Sequence, residues 1–169
     1  MIRNRSRTLL ASVAALPLVA LAVAGCGSAS SSVSPPTTKD GRAATIGAAN
    51  EGLGKILVNS QGRTLYLFQK DSGTTSECTG ACAANWPPLR ASGSPAIGSG
   101  ANASLLASTM RSDGSRQITY NNHPLYTFVK DTKAGDTNGE GLTAFGGTWY
   151  AISPAGNQVV AQPAGTGGY

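Results

Sequence analysis

Few residues in this 169-residue chain have the chemistry for a site, and most come in repeated or paired form. Tyr66, Phe68 and Asp71 recur sixty residues later as Tyr126, Phe128 and Asp131, inside the segments Leu65 to Asp71 and Leu125 to Asp131. Continued backwards at that fixed offset, the alignment pairs Val58 with Ile118 and Gly62 with Asn122, and five of the fourteen positions up to Asp71 are identical. If the copies converge, duplicated phenols and carboxylates can bind a ligand or a cation between them. The same residues also serve a purely architectural role, with the aromatic rings filling a core and each aspartate ending a strand by accepting turn amides. The remaining candidates are Trp86, three cysteines (Cys26, Cys78 and Cys82) and a single histidine, His123.

Cys26 has its chemistry set by what precedes it. Arg3, Arg5 and Arg7 are followed by an uncharged run from Thr8 to Gly25, rich in Leu, Ala and Val, which is the order of a secretory leader. Val23-Ala24-Gly25-Cys26 reads as a bacterial lipobox: small residues a signal peptidase accommodates, then a thiol that receives a diacylglyceryl group. The arginines are not adjacent, which favours the general secretory route over twin-arginine export. The chain carries 13 Lys and Arg against 8 Asp and Glu, but three of those arginines belong to the leader, so the exported part has a net charge of only +2. Its basic residues are scattered, and no nucleic-acid surface is expected.

The positioning elements follow in order. Residues 1–25 form the leader; 26–44 form the lipidated cysteine and a Ser/Pro/Thr tether too poor in apolar area to offset its ordering entropy; 45–169 form one β domain of two repeats, about 45–104 and 105–169. In the second repeat Leu106 to Arg111, Arg116 to Tyr120 and His123 to Val129 read as a three-stranded meander. Its turns fall at Ser112-Asp113-Gly114-Ser115 and Asn121-Asn122. The first repeat reads alike: Thr45 to Ala49, Lys55 to Asn59 and Arg63 to Gln69. The one helical candidate is Asn102 to Met110, with Asn102 as cap. After each meander comes a tryptophan. Trp149 begins a strand, with a Pro154-Ala155-Gly156-Asn157 turn and a last strand around Gln158 to Ala161. The first copy cannot run as a central strand through Pro87-Pro88, so the second halves are expected to diverge.

Successive strand side chains alternate, so Tyr66 and Phe68 face one side while Leu65 and Leu67 face the other. Both sides are apolar and should be buried. The expected architecture is all-β: two tandem antiparallel meanders packed about a pseudo-two-fold axis as a sandwich or a small barrel.

Removing Cys26 leaves Cys78 and Cys82 as an even pair in an oxidising compartment, favouring a disulfide. A redox-active dithiol stays open, although Glu77 beside Cys78 opposes a lowered thiol pKa. Zinc would need four ligands, and the spacing does not bring His123 to the two cysteines, so neither a metal nor a cofactor is indicated. His123, at a hairpin turn opposite Arg63 of the first copy, reads as a solvated surface group. Nor is catalysis signalled. There is no Gly-x-Ser-x-Gly elbow, Gly98-Ser99-Gly100 lacks the strand and helix of a phosphate loop, and pairing Asp71 with Asp131 for glycoside chemistry rests on nothing specific.

Taken together, Tyr66-x-Phe68-x-x-Asp71, its copy at Tyr126, Phe128 and Asp131, and the block Cys78-Thr79-Gly80-Ala81-Cys82-Ala83-Ala84-Asn85-Trp86-Pro87-Pro88 resemble a family of bacterial lipoproteins with a repeated Y-x-(F/W/Y)-x-x-D motif, a secreted repeat of unknown function. The resemblance runs from about Thr45 to Pro154 and implies an envelope lipoprotein with no assigned activity. The sequence therefore supports an extracytoplasmic module, anchored to the membrane by lipid on Cys26, that binds an envelope protein or a small molecule. Tyr66, Asp71, Trp86, Tyr126 and Asp131 are the candidate binding residues. The alternative is a redox or electron-transfer accessory using Cys78 and Cys82 or a bound cofactor.

Overall fold

The computed structural model describes residues 45–90, 93 and 95–160. The leader, Cys26 and the tether lie outside the described residues, as does Ala161, the end of the expected last strand. The first repeat contains β1 (Thr45–Glu51), β2 (Gly54–Asn59), β3 (Tyr66–Phe68), a short helix α1 (Ala81–Asn85) and β4 (Ala96–Ile97). The second contains a 3-10 turn (Ala103–Leu105), β5 (Leu106–Met110), β6 (Arg116–Tyr120), β7 (His123–Pro124), β8 (Thr143–Ala144) and β9 (Gly147–Ala151). They form three three-stranded sheets, ordered β2-β1-β4, β5-β6-β7 and β3-β9-β8. The all-β, two-repeat reading holds, and no sheet of the described residues closes into a barrel.

Turn chemistry fixes the hairpins. Asn121 and Asn122 both take positive φ, 49° and 65°, as a two-residue hairpin turn requires. The first copy has one residue more here: Asn59 Oδ1 accepts the amides of Gln61 and Arg63, and Gly62 takes φ 75°. That extra residue shifts the repeat register. Leu57 donates its N–H to Ile152 O and accepts from Leu65, while Ile118 donates to Leu89 O and accepts from Leu125. Leu57, not Val58, is therefore the counterpart of Ile118, and the fixed offset fails across β2 but returns in β1, where Ala48 faces Leu57 as Ser108 faces Ile118.

One other expectation is corrected. The stretch Asn102 to Met110 is not a helix: Asn102 Oδ1 caps one 3-10 turn through Ser104 N, and the chain then extends as β5. The α-helical turn lies instead in the cysteine loop, at Ala81–Asn85. The second halves diverge as expected, with α1 and no named strand through Pro87-Pro88 in the first copy against β8 and β9 in the second, yet the two tryptophan segments keep equivalent pairing. Thr127 and Val129 donate to the carbonyls of Pro87 and Asn85, and Pro88 bridges to Tyr126, as Ala151 pairs with Tyr66 in β9. Pro87 and Pro88 are tolerated because that segment offers carbonyls where it meets Thr127, and an acceptor needs no N–H.

Each copy's third strand thus leaves its own meander and pairs with the tryptophan segment of the other copy, and this exchange builds two cores. One gathers Leu65, Leu67, Leu57, Leu125, Ile118 and Ile152; the other gathers Tyr66, Phe68, Tyr126, Phe128 and both tryptophans. Two-sided burial of β3 is as its alternation requires. In the second core Phe68, Trp149, Trp86 and Phe128 form one continuous stack, with centroid separations of 4.0, 3.9 and 4.1 Å. Tyr66 meets Trp86 edge-on at 5.4 Å and Tyr126 meets Trp149 at 5.1 Å, so the ring cluster obeys the same pseudo-two-fold relation as the chain. Each ring pair adds about 0.5–1.5 kcal/mol beyond burial. Replacement of Trp149 by alanine is expected to cost about 3–5 kcal/mol in chemical denaturation. Trp149→Phe should keep the fold but abolish the exciton couplet of the parallel indoles in circular dichroism.

Candidate functional site

At the pseudo-two-fold axis the backbones of Tyr66 and Tyr126 exchange hydrogen bonds, with N···O distances of 2.9 and 3.0 Å. Their side chains cross. The Tyr66 hydroxyl donates to Asp131 Oδ2 at 2.6 Å, and the Tyr126 hydroxyl donates to Asp71 Oδ2 at 2.8 Å. Each aspartate's other oxygen accepts a loop amide, Glu77 N at 2.8 Å for Asp71 and Asn138 N at 2.9 Å for Asp131. Each aspartate also closes a turn with its own N–H on the carbonyl of Phe68 or Phe128. The repeated motif therefore acts in trans between copies. Its phenol holds the other copy's carboxylate, which organises the loop leading to a tryptophan.

The two ends differ in exposure. Asp131 is fully buried and sealed by Asn138, whose side chain also reaches Oδ1 at 3.2 Å, and by Arg63, whose Nη1 donates to the Asp131 carbonyl at 2.7 Å. Gly139 lies against Tyr66 and Trp86 so closely that a Cβ there would come within 2.7 Å of the indole, leaving room for glycine alone. Burial raises the carboxyl pKa of Asp131, against the lowering effect of Tyr66 and Asn138. Burial likewise raises both phenols well above their usual value.

Asp71 is only half-buried, and burial pushes its carboxyl up to about 6, despite the Glu77 amide and the Tyr126 hydroxyl. It lines a cavity of about 340 Å³ floored by Leu67 and Phe68, with His123, Gln69, Asn157 and Gln158 around it. His123 is half-buried, not solvated, and burial lowers its pKa. Under the copy relation His123 is to Asp71 what Arg63 is to Asp131, a hairpin residue from the opposite repeat. One end of the axis is thus closed and the other is open.

The loop above Asp71 carries the Cys78–Cys82 disulfide, with Cα atoms 5.2 Å apart and both residues buried. A ring of this size contributes about 2 kcal/mol by loop entropy. The loop is anchored by Arg111, a residue that sequence patterns do not mark. Its buried guanidinium donates to Ser76 Oγ, Gln117 Oε1 and Cys78 O, each at 2.6 Å, and Ser76 Oγ in turn lies 2.7 Å from the Tyr126 hydroxyl. The counterpart of Arg111 at the fixed offset is Glu51, so the repeat gives no warning of it. Its Nε, 3.9 Å from Asp113 Oδ2, has no hydrogen-bond partner. Among the described residues no cluster of three His, Cys, Asp or Glu is placed to hold a metal ion.

Of the five candidate binding residues, Tyr66, Trp86, Tyr126 and Asp131 lie buried in the second core or at its edge, while Asp71 lines the cavity described above. Gln69, Asn157 and Gln158 were not singled out in the sequence. Only the tertiary fold brings a turn of the second repeat to the end of β3.

The site and fold define a two-repeat, all-β module whose copies interlock through their repeated aromatic and acidic residues. The chain belongs to the family described as a secreted repeat of unknown function, whose model matches residues 47–90 and again 107–153. No curated protein and no solved structure matched the chain. The family sets the module outside the cytoplasm, and no helix among the described residues is long and apolar enough to cross a membrane.

Two expectations follow. Because the native Asp71 carboxyl holds its proton up to about pH 6 while an unfolded aspartate loses it near 4, stability should fall as pH rises between those values and level off above. Asp71→Asn should make that segment shallower in denaturation curves at pH 4.5 and 7, the remaining slope coming from Asp131 and Glu140, whose carboxyls burial also raises. The opposite pull of Asp113, lowered to about 2 by Ser115 and then by arginine charge, acts only below this window. Separately, Tyr66→Phe strips a fully buried carboxylate of a donor and should cost about 1–3 kcal/mol, more than the about 1 kcal/mol of Tyr126→Phe at the open end.

Proposed function

We propose that this chain is a lipid-anchored binding module of the cell envelope, held through Cys26 and presenting the cavity beside Asp71 to a ligand. The observation that carries the binding reading is the asymmetry of the two motif aspartates. Both make the same crossed contact, yet Asp131 is sealed while Asp71 opens into a cavity with a neutral imidazole and three carboxamides. The other aromatic and acidic groups of the motif are spent on each other, which supports a rigid display module over an enzyme. The tether would let it stand off the membrane: some 18 residues at about 3.3 Å each reach at most roughly 60 Å.

The redox reading stands second. Thiol exchange needs an accessible sulfur, and Cys78 and Cys82 are 0 and 6 % exposed beneath a loop held by Arg111. That burial supports a structural bond which shapes the approach to Trp86.

Anchoring is tested by expressing the full chain and its Cys26→Ala variant in a lipoprotein-processing host with a radiolabelled fatty acid. The parent chain should take up label and sediment with membranes, and the variant should carry no label and leave the membrane fraction. An unlabelled parent chain, or a variant that still sediments fully, would refute the anchor.

A further inference from the structure

The cavity beside Asp71 has a lining whose chemistry selects among ligand classes. Gln69, Asn157 and Gln158 each offer both an amide N–H2 and a carbonyl oxygen, and the neutral His123 ring offers one donor and one acceptor. Asp71 accepts one bond on each oxygen, from Tyr126 and from Glu77 N, and keeps further lone pairs. No lysine or arginine lines the cavity. A phosphate or carboxylate ligand would find no cation there, and a polyamine would find one carboxylate whose buried neighbours already hold it. Groups that both donate and accept match a ligand that does the same at every position, as the hydroxyls of a sugar do.

Part of the lining is hydrogen-bonded within the protein. Gln69 Nε2 donates to Gln158 Oε1 at 3.3 Å across two segments 89 residues apart in sequence. Asn157 sits in a turn closed by Ser153 N to Asn157 O at 2.8 Å and by Asn157 N to Ser153 Oγ at 3.3 Å. The Val159 amide ties the following residues back to Ala151 O at 2.8 Å. Leu67 and Phe68 lie beneath the lining at 4 and 2 % exposure, so the contacts open to a ligand are chiefly polar. At about 340 Å³ the space falls at the small end of ligand pockets, fit for one or two sugar units rather than a long chain segment.

Resting on the binding-module reading above, we propose that the cavity formed by Asp71, His123, Gln69, Asn157 and Gln158 is a subsite for a neutral saccharide unit. Such a unit could belong to a glycan of the cell's own envelope or to one met outside it. The shared chemistry is the same, and the test separates the sources.

The protein is purified from membranes in a detergent without a sugar headgroup. It is titrated by calorimetry with maltose, cellobiose, mannobiose and N,N′-diacetylchitobiose, and in a second arm with neutral polysaccharide isolated from its own envelope. Saturable binding is expected in at least one arm, weakened at least tenfold by Gln158→Ala and by His123→Ala. Both variants should keep the parent melting temperature, since neither side chain is fully buried. Binding confined to the second arm identifies an envelope glycan, and binding of the disaccharides an external one. Absence of binding in both arms by the folded protein, or binding that the two variants leave unchanged, overturns the proposal. Spermidine and inorganic phosphate serve as contrasting probes. If either binds in a manner that depends on Gln158 and His123 while the sugars do not, the saccharide class is wrong and the binding-module reading survives. If none of these probes perturbs the cavity, the binding reading falls with it.

Discussion

The crossed pairing of each repeat's tyrosine with the other repeat's aspartate is the constraint on which the rest of the structure depends. A buried carboxylate needs hydrogen-bond donors, and a buried phenol needs an acceptor. By placing each group on a different copy, the chain makes neither repeat able to satisfy itself. The backbone exchange between Tyr66 and Tyr126, the swapped pairing of β3 with β9, and the Phe-Trp-Trp-Phe stack all follow from the same exchange. Two meanders that would each expose an apolar face become one unit with two cores.

Against that symmetry the differences gain meaning. The second copy closes its aspartate with Asn138, Gly139 and Arg63; the first uses a disulfide loop and a buried Arg111 to hold Ser76 and Cys78 above Tyr126. The buried guanidinium makes three short hydrogen bonds, which offset much of the cost of keeping its charge inside, with Asp113 alongside as a more distant ion partner. The result is a scaffold anchored by the crossed hydrogen bonds at both ends, with a cavity beside Asp71 and a sealed Asp131. Around that cavity the chain has concentrated side chains that both donate and accept.

The repeat itself, the strands of both meanders, the two-sided burial of Leu65 to Phe68 and the Cys78–Cys82 bond were legible from residues alone, because each rests on local periodicity or spacing. What was not legible is tertiary. Nothing in Trp86-Pro87-Pro88 says that its carbonyls will receive the N–H groups of Thr127 and Val129, or that it is the counterpart of Trp149-Tyr150-Ala151. One inserted residue in the turn Asn59 to Arg63 was enough to misregister Val58 against Ile118. Arg111, Gln69, Asn157 and Gln158 carry no pattern, and His123 looked like a solvated turn residue until the fold packed it beside the end of β3. Local signals report strands and turns; they do not report which copy a side chain will reach.

The claim that the motif works between copies is tested most directly by double-mutant cycles on the purified protein. They would compare Tyr66→Phe with Asp131→Ala and, as reference, Tyr66→Phe with Asp71→Ala. The crossed pair should show a coupling of about 0.5–3 kcal/mol, and the pair within one repeat should be additive to within about 0.5 kcal/mol. Coupling confined to Tyr66 and Asp71, with none between Tyr66 and Asp131, would contradict the interlocked arrangement from which the open and closed ends derive.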